Sequence, residues 1–485
     1  MNYKMMGRFN ALILAIEGVF MIPALIISIS SGNGKTAWSF AASIGILACV
    51  SLVMAWLSRG AKQNFYAREG LICVGMSWVA MSVLGCLPFF LSGEIPSFVD
   101  ALFEMVSGFS TTGASVVANV EGLSRGILYW RSFSHWLGGM GVLVFLLAVI
   151  PIGGRNEGFT MHLMRAESPG PDVGKLVPRI RQTAMVLYLT YIFLTVLNFL
   201  FLLAGGMPVF DAVCTTFGTA GTGGFGIKND SIASYSPYIQ NVCTVFMLLF
   251  GVNFSCYYLL LMRKFKSVFG DEELRFYLGL VFGSVALIAL NVRGLYGSIG
   301  ETLRHAAFQI ASIITTTGYA TVDFDLWPAF SKTILLTLML VGACAGSTGG
   351  GMKCARVLLL FKGLKRNISG ILHPQKVQVV RVGSKVVDEK ILANTNAYLS
   401  AYVIIIAVST VLISLDGFSA GTNISAVISC FNNIGPGLEA VGPTCNYGSF
   451  SVLSKLVLIF DMLAGRLEIF PILILFNLNA WRKKA

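Results

Sequence analysis

Charge is what this chain has least of. Asp, Glu, Lys and Arg make up only 12% of its 485 residues, about half the share that an ordinary soluble domain carries. With a mean hydropathy of +0.75, that scarcity excludes a soluble globular protein. Paired cysteines are also missing. The ten cysteines lie singly, mostly in apolar stretches, with no CxxC, which excludes a zinc site and a disulfide framework. They read as small core hydrophobes. Histidine is scarcer still: His135, His162, His305 and His373 are scattered and read as packing or surface residues. Two nucleotide-like patterns fail on inspection. Gly221 to Gly226 fits GxGxxG without a preceding strand, and Gly346 to Lys353 resembles a phosphate loop with Met352 where lysine belongs.

What is abundant is apolar sequence. Ten runs are long enough to cross a hydrocarbon core of about 30 Å: about 11–30, 39–58, 70–91, 127–150, 183–204, 239–262, 275–292, 331–361, 395–415 and 452–480. The first follows Lys4 and Arg8 like a signal peptide but has no small-x-small cleavage site, so it is expected to remain as a helix. The net charge of +12 does not point to nucleic acid, because it is distributed by side. With the N-terminus inside, alternate connections carry 26 of the 35 Lys and Arg residues. That is the positive-inside pattern, and it predicts both termini in the cytoplasm, in a cell (inner) membrane. The longest polar connection, about Lys362 to Lys390, contains a stretch from Val377 to Val382 that suits a short hairpin.

Between alternate pairs of spans lie four shorter apolar segments, about 97–110, 208–219, 302–315 and 420–432, too short to cross. Each runs into a glycine loop: Thr111-Thr112-Gly113-Ala114, Gly221-Thr222-Gly223-Gly224-Phe225, Thr316-Thr317-Gly318-Tyr319 and Asn433-Ile434-Gly435-Pro436-Gly437. Aligned on Gly113, Gly223, Gly318 and Gly435, the loops are spaced by 110, 95 and 117 residues, the mark of a repeat. The expected fold is an all-α polytopic membrane protein with four span–pore helix–span repeats around a pseudo-fourfold pore. An N-terminal two-helix hairpin (1–62) precedes repeats at 63–155, 156–266, 267–366 and 367–485. Non-helical backbone is tolerated at membrane depth only where it is buried or lines a wet cavity. Glycine lets carbonyls turn inward there, and a carbonyl ring replaces the hydration shell of an alkali cation. The short helices aim the partial negative charge of their C-termini at the same place. A monovalent cation is the cargo these features suit.

These loops resemble the four filter loops of the Trk/Ktr/HKT potassium transporter family. Two further stretches, Cys344 to Lys353 and Gly465-Arg466-Leu467-Glu468-Ile469-Phe470, are similar to other signatures of the family, and the N-terminal hairpin resembles its Trk-type branch. The resemblance spans essentially the whole chain. One departure is Gly221, where the family more often has serine. The resemblance implies potassium as the transported ion, with no organic cofactor. It implies a filter made by Thr111, Thr112, Gly113, Thr222, Gly223, Thr316, Thr317, Gly318, Asn433, Ile434 and Gly435, with glycine rather than serine in the first loop favouring potassium over sodium. The partners it implies are a second copy in a homodimer and a cytosolic nucleotide-binding ring subunit (TrkA-like), alongside the lipid bilayer.

The run 331–361 is broken by glycines at 346, 349, 350 and 351, each costing about 1 kcal/mol against alanine in a helix. A break there marks a transport pathway, and the resemblance implies a gate made by Gly346, Ser347, Thr348, Gly349, Gly350, Gly351 and Lys353. Arg466 falls near the middle of the last span, where a charge faces a wet path or a partner; it is expected to be a barrier below the filter. Asp461 and Glu468, seven apart, are expected on one helical face. They and Glu17 are the titratable groups that the alternative, a proton- or sodium-coupled potassium symporter, would need. A polytopic membrane enzyme has no paired carboxylates, metal cluster or nucleophile motif in the sequence to act with.

Overall fold

The computed structural model describes residues 2–60, 67–141, 180–375, 378–383 and 385–481. It is built almost wholly of helices. Among the described residues, six helices are long and apolar enough to cross a membrane, or seven if one bent pair counts as a single span. Sequence reading expects ten spans, and the difference has identifiable causes. The second half of the expected 127–150 span lies outside the described residues, as do Arg155, Arg165, Lys175 and Arg179. The expected 331–361 and 452–480 runs are each broken into shorter helices. The expected span 239–262 is not one helix either: Pro237–Phe250 and Phe254–Leu261 meet at 89°. Gly251 to Asn253 form that elbow, and the Asn253 side chain caps the second helix by accepting the Ser255 N–H at 2.9 Å.

An N-terminal pair of spans, Tyr3–Ser30 and Gly34–Leu57, forms the predicted hairpin. The first breaks at Met21, where Pro23 removes a backbone donor. Ser51 locks the pair by donating to the Ala11 carbonyl at 2.6 Å. Leu52, Val53, Trp56 and Leu57 are exposed; beside lipid tails, which are as apolar as they are, this carries no penalty. Only one small sheet occurs among the described residues, Arg381–Val382 against Lys385–Val386. The hairpin therefore sits a few residues later than the 377–382 stretch expected for it; Val377 itself lies outside the described residues.

The four short helices are Phe98–Phe109, Val209–Gly221, Ile299–Ile314 and Ala420–Phe431, close to the ranges the hydropathy pattern predicts. Ser97, Ser298 and Ser419 cap three of them by accepting backbone N–H groups at their starts. Pro208 precedes the fourth. Their C-terminal halves are buried in protein: every residue from Phe103 to Phe109 and from Phe308 to Ile314 is inaccessible. Longer helices surround them, with Arg125–Met140 packed between the first short helix and the second.

Close packing joins the N-terminal hairpin to this inner assembly. A Cβ on Gly126 would overlap the Ser28 hydroxyl and approach the Ala24 carbonyl at 3.1 Å. Gly126→Val is expected to lower stability by about 1–3 kcal/mol through overpacking, read as thermal unfolding of the purified protein in detergent. Gly45→Ala, at a helical position with open space around it, is the control and is expected to leave the transition unchanged or slightly raised.

Candidate functional site

The four short helices end identically. In each, one residue turns left-handed: Thr111 (φ 57°), Thr222 (φ 53°), Thr316 (φ 59°) and Asn433 (φ 57°). The following N–H reaches back five residues along the turn, Thr112 to the Ser107 carbonyl, Gly223 to Gly218, Thr317 to Ser312 and Ile434 to Ser429, all at 2.8 to 2.9 Å. This is the Schellman closure that satisfies the last carbonyls of a helix. Glycine is its usual left-handed residue; a β-branched threonine there stores about 1–3 kcal/mol of strain. Two residues after the start of each turn comes a glycine with positive φ: Gly113, Gly224, Gly318 and Gly435.

That register corrects the sequence alignment in one loop. Gly224, not Gly223, is the counterpart of Gly113, Gly318 and Gly435, and Gly223 stands at the place of Thr112, Thr317 and Ile434. Two adjacent glycines made the choice ambiguous until the backbone conformation separated them.

The four glycines close a ring. A Cβ on Gly113 would overlap the Gly223 carbonyl oxygen, on Gly224 that of Thr317, on Gly318 that of Ile434, and on Gly435 that of Thr112. Each loop thus lies in van der Waals contact with the next, in the order one, two, three, four and back to one. Gly113, Gly224, Gly318 and Gly435 also line a single open vestibule. Among the described residues no group of three His, Cys, Asp or Glu is placed to hold a metal ion. The ligands on offer at the ring are carbonyls and hydroxyls, which suit a weakly bound alkali cation.

Beside the ring lies the glycine-dense loop, 342–353, between helices Ala329–Val341 and Cys354–Leu372. Gly342, Gly346, Gly351 and Lys353 all have positive φ. The Gly350 N–H donates to the Thr316 hydroxyl at 2.6 Å, and a Cβ on Gly349 or Gly350 would strike the Thr315 or Asn432 carbonyl. Ser347 donates to the Cys344 carbonyl at 2.6 Å, and the buried Lys353 ammonium donates to the Gly349 carbonyl. The elbow of the second repeat holds the loop from the side: Cys344 N–H bonds the Gly251 carbonyl (3.1 Å), and Phe254 N–H bonds the Gly346 carbonyl (3.0 Å). One oxygen of Glu273 accepts the N–H of both Ala345 (2.6 Å) and Ala355 (3.0 Å), stapling the two ends of the loop together. Nothing local in the sequence marks either the elbow or Glu273.

Arg466 reaches this loop from the last repeat. Its guanidinium donates to the carbonyls of Thr348 (2.9 Å), Gly138 (2.5 Å) and Gly139 (2.6 Å). It is the final residue of helix Val452–Arg466, not the middle of a continuous span. Glu468 and Ile469 follow with φ of 60° and 66°, so Asp461 and Glu468 do not share a helical face as expected. Glu468 pairs with Arg356, and Asp461 accepts the Ser409 hydroxyl at 2.7 Å. Glu17, 2% exposed, lies on the first N-terminal helix with its carboxylate beside Gly85, and has no hydrogen-bond partner among the described residues.

Residues 38–482 match the family described as TrkH, cation transport protein. The chain belongs to the TrkH family. It is 35% identical to the Trk system potassium uptake protein TrkH of Salmonella typhimurium, with both chains fully covered. It is 33% identical to the Trk system potassium uptake protein TrkG of Escherichia coli over 95% of each chain. The crystal structure of the potassium transporter TrkH from Vibrio parahaemolyticus superposes with a TM-score of 0.88 at 30% identity, covering 99% of this chain and 100% of that one. TrkH-family relatives are transport proteins, not enzymes, and a multi-pass helical fold is common to this chain and that structure.

Behind the first loop of this TrkH-family chain sits a buried ion pair. Arg131 Nε lies 2.5 Å from Glu104 Oε1, with the side chains 3% and 0% exposed. Glu104 also accepts the Val116 N–H (3.0 Å) and the Ser115 hydroxyl (2.9 Å). Arg131 continues to the Gly226 carbonyl (3.1 Å) and stacks over the Phe225 ring at 3.7 Å. The pair ties the first loop to the second. Arg131→Ala leaves Glu104 buried and uncompensated, and is expected to cost about 3–5 kcal/mol. The double variant Arg131→Met/Glu104→Leu, which removes both charges, should recover most of that loss in the same unfolding measurement.

Proposed function

We propose that this chain takes up potassium across a cell (inner) membrane through a channel-like, potassium-selective pore. The observation that carries the reading is the cyclic closure of the four glycine loops, because a ring of backbone oxygens at membrane depth is what an alkali cation needs in place of water. The filter is then Thr111, Thr112, Gly113, Thr222, Gly223, Gly224, Thr316, Thr317, Gly318, Asn433, Ile434 and Gly435. The potassium named for the relatives supports the choice of ion. The four repeats, with boundaries near 63, 156, 267 and 367, each contribute one loop.

The loop from Gly346 through Gly351, with Lys353, acts as the gate. Its support is the direct bond to Thr316 and its seat against the third and fourth loops. Arg466 is the barrier residue, holding a positive charge against the gate loop. The functional assembly is a homodimer with a cytosolic nucleotide-binding ring, and both termini face the cytoplasm. Coupled symport is the second reading; it draws on Glu17, a buried carboxylate without a partner among the described residues. Single-channel recording separates the two. Unitary currents above about 10⁶ ions per second exclude stoichiometric coupling, whose cycles run at about 1–10³ per second.

Gly113→Ser is expected to raise sodium permeability relative to potassium, read from the bi-ionic reversal potential in planar bilayers. An unshifted reversal potential would remove the first loop from the filter. Arg466→Ala is expected to raise cation flux roughly tenfold or more. A unit charge 4 Å from an ion at an effective dielectric of 20 opposes it by about 4 kcal/mol, and about 1.4 kcal/mol of barrier is tenfold in rate. Flux and thermal stability are measured on the same purified protein; a stable variant with unchanged flux would end the barrier role.

A further inference from the structure

The second glycine loop differs from the other three at its middle position. Thr112, Thr317 and Ile434 carry side chains there, and Gly223 carries none. One imidazole explains the difference. His135, on helix Arg125–Met140 and completely buried, places its ring where a Cβ on Gly223 would go, and its own backbone carbonyl crowds Gly221 in the same way. The ring lies against Phe225, centroids 4.2 Å apart at an angle of 39°.

Both ring nitrogens are engaged. Nδ1 is 2.8 Å from the carbonyl of Gly108, near the end of the first short helix. Nε2 lies 3.2 Å from the Phe225 nitrogen and accepts its N–H. A carbonyl only accepts and a backbone N–H only donates, so the imidazole is neutral with its proton on Nδ1. The chain has no cis peptides among the described residues, and in a trans peptide the C=O and N–H point in opposite directions. Holding the Phe225 N–H toward His135 therefore turns the Gly224 carbonyl away from it. Gly224 is the second loop's member of the glycine ring and lines the vestibule.

We propose that His135 is a specificity-determining positioning residue. It is a neutral strut from the first short helix to the second loop, and it fixes the orientation of the Gly224 carbonyl and with it the fit of the ring to potassium. This rests on the reading of the four loops as the filter. It assigns selectivity to a side chain outside the loops, on a residue that composition alone classes as ordinary packing.

Two amide replacements separate the two bonds. In His135→Asn the amide N–H takes the place of Nδ1–H, and the acceptor for Phe225 is lost. In His135→Gln the amide oxygen reaches toward the Nε2 position and restores that acceptor. Bi-ionic reversal potentials in planar bilayers are expected to show a K⁺/Na⁺ permeability ratio about five- to tenfold lower in His135→Asn, the scale of one net hydrogen bond. His135→Gln is expected to return the ratio to within about twofold of the original, by the same reasoning. An unchanged ratio in folded, conducting His135→Asn overturns the strut. An original protein without potassium preference overturns the filter reading and the strut together.

If His135→Asn does not fold, the pair with Gly223 decides. Gly223→Thr alone drives a side chain into the ring and is expected to lower yield and K⁺/Na⁺ ratio. His135→Ser/Gly223→Thr relieves the clash and gives the loop the threonine found in two of its counterparts; it is expected to recover yield but not the K⁺/Na⁺ ratio, because the acceptor for the Phe225 N–H is gone, and a recovered ratio would overturn the strut. Gly223→Thr that is as stable and selective as the original protein would overturn the proposal.

Discussion

A peptide group without a hydrogen-bond partner costs several kcal/mol in hydrocarbon, and among the described residues the four loops after the short helices and the loop 342–353 run as non-helical backbone among the long helices. The manner of their satisfaction shapes everything around them. Four segments close onto the helices that precede them through the same pair of turn bonds. The fifth, 342–353, closes onto its preceding helix only at Gly342, whose N–H bonds the Leu338 carbonyl, and beyond that bonds to its neighbours: the elbow carbonyl at Gly251, the carboxylate of Glu273, the hydroxyl of Thr316 and the guanidinium of Arg466. The first four are locally determined and rigid. The last is held by groups from three repeats, so its stability depends on the relative positions of those repeats.

Sterics explain why glycine recurs where it does. In the ring each glycine is backed by a carbonyl of the next loop, so a side chain at any one position pushes a neighbour rather than solvent. The positive φ at these positions would also strain other residues. Threonine or asparagine two residues before each ring glycine accepts such strain, because the Schellman closure and the packed neighbours over-determine the turn. The contacts that close the ring thereby join all four loops, and a change in one is passed to the next.

The interior charges are balanced by different means. Arg131 with Glu104 and Arg356 with Glu468 are ion pairs, and each spans two segments far apart in sequence. Lys353 and Arg466 donate to backbone carbonyls of the glycine-dense loop. The pairs hold architecture, while the carbonyl-bound cations sit on the one loop whose contacts come from elsewhere.

Hydropathy and glycine spacing are local properties, and what they govern was legible from the chain alone: six of the ten expected spans, the four short helices within a few residues, the N-terminal hairpin, the interruption before Lys353 and the family. The two hydroxyl-and-glycine loops that lack neighbouring glycines could be aligned correctly for the same reason. The second loop could not, because Gly223 and Gly224 are equivalent by composition and only the Schellman turn and the His135 ring distinguish them. Nor does local sequence announce the 89° elbow, the exit of Glu468 from its helix or the Glu273 staple. Each depends on a partner distant in the chain: Gly251 on Cys344, Glu468 on Arg356, Glu273 on Ala345 and Ala355. Apolar length alone marks the long segments and the short ones between them, since transfer of apolar side chains from water acts on one segment at a time. Which carbonyls meet, which glycine completes the ring and which side chain holds it were decided only by tertiary structure, where repeats with unlike sequences must satisfy one another's backbone without water.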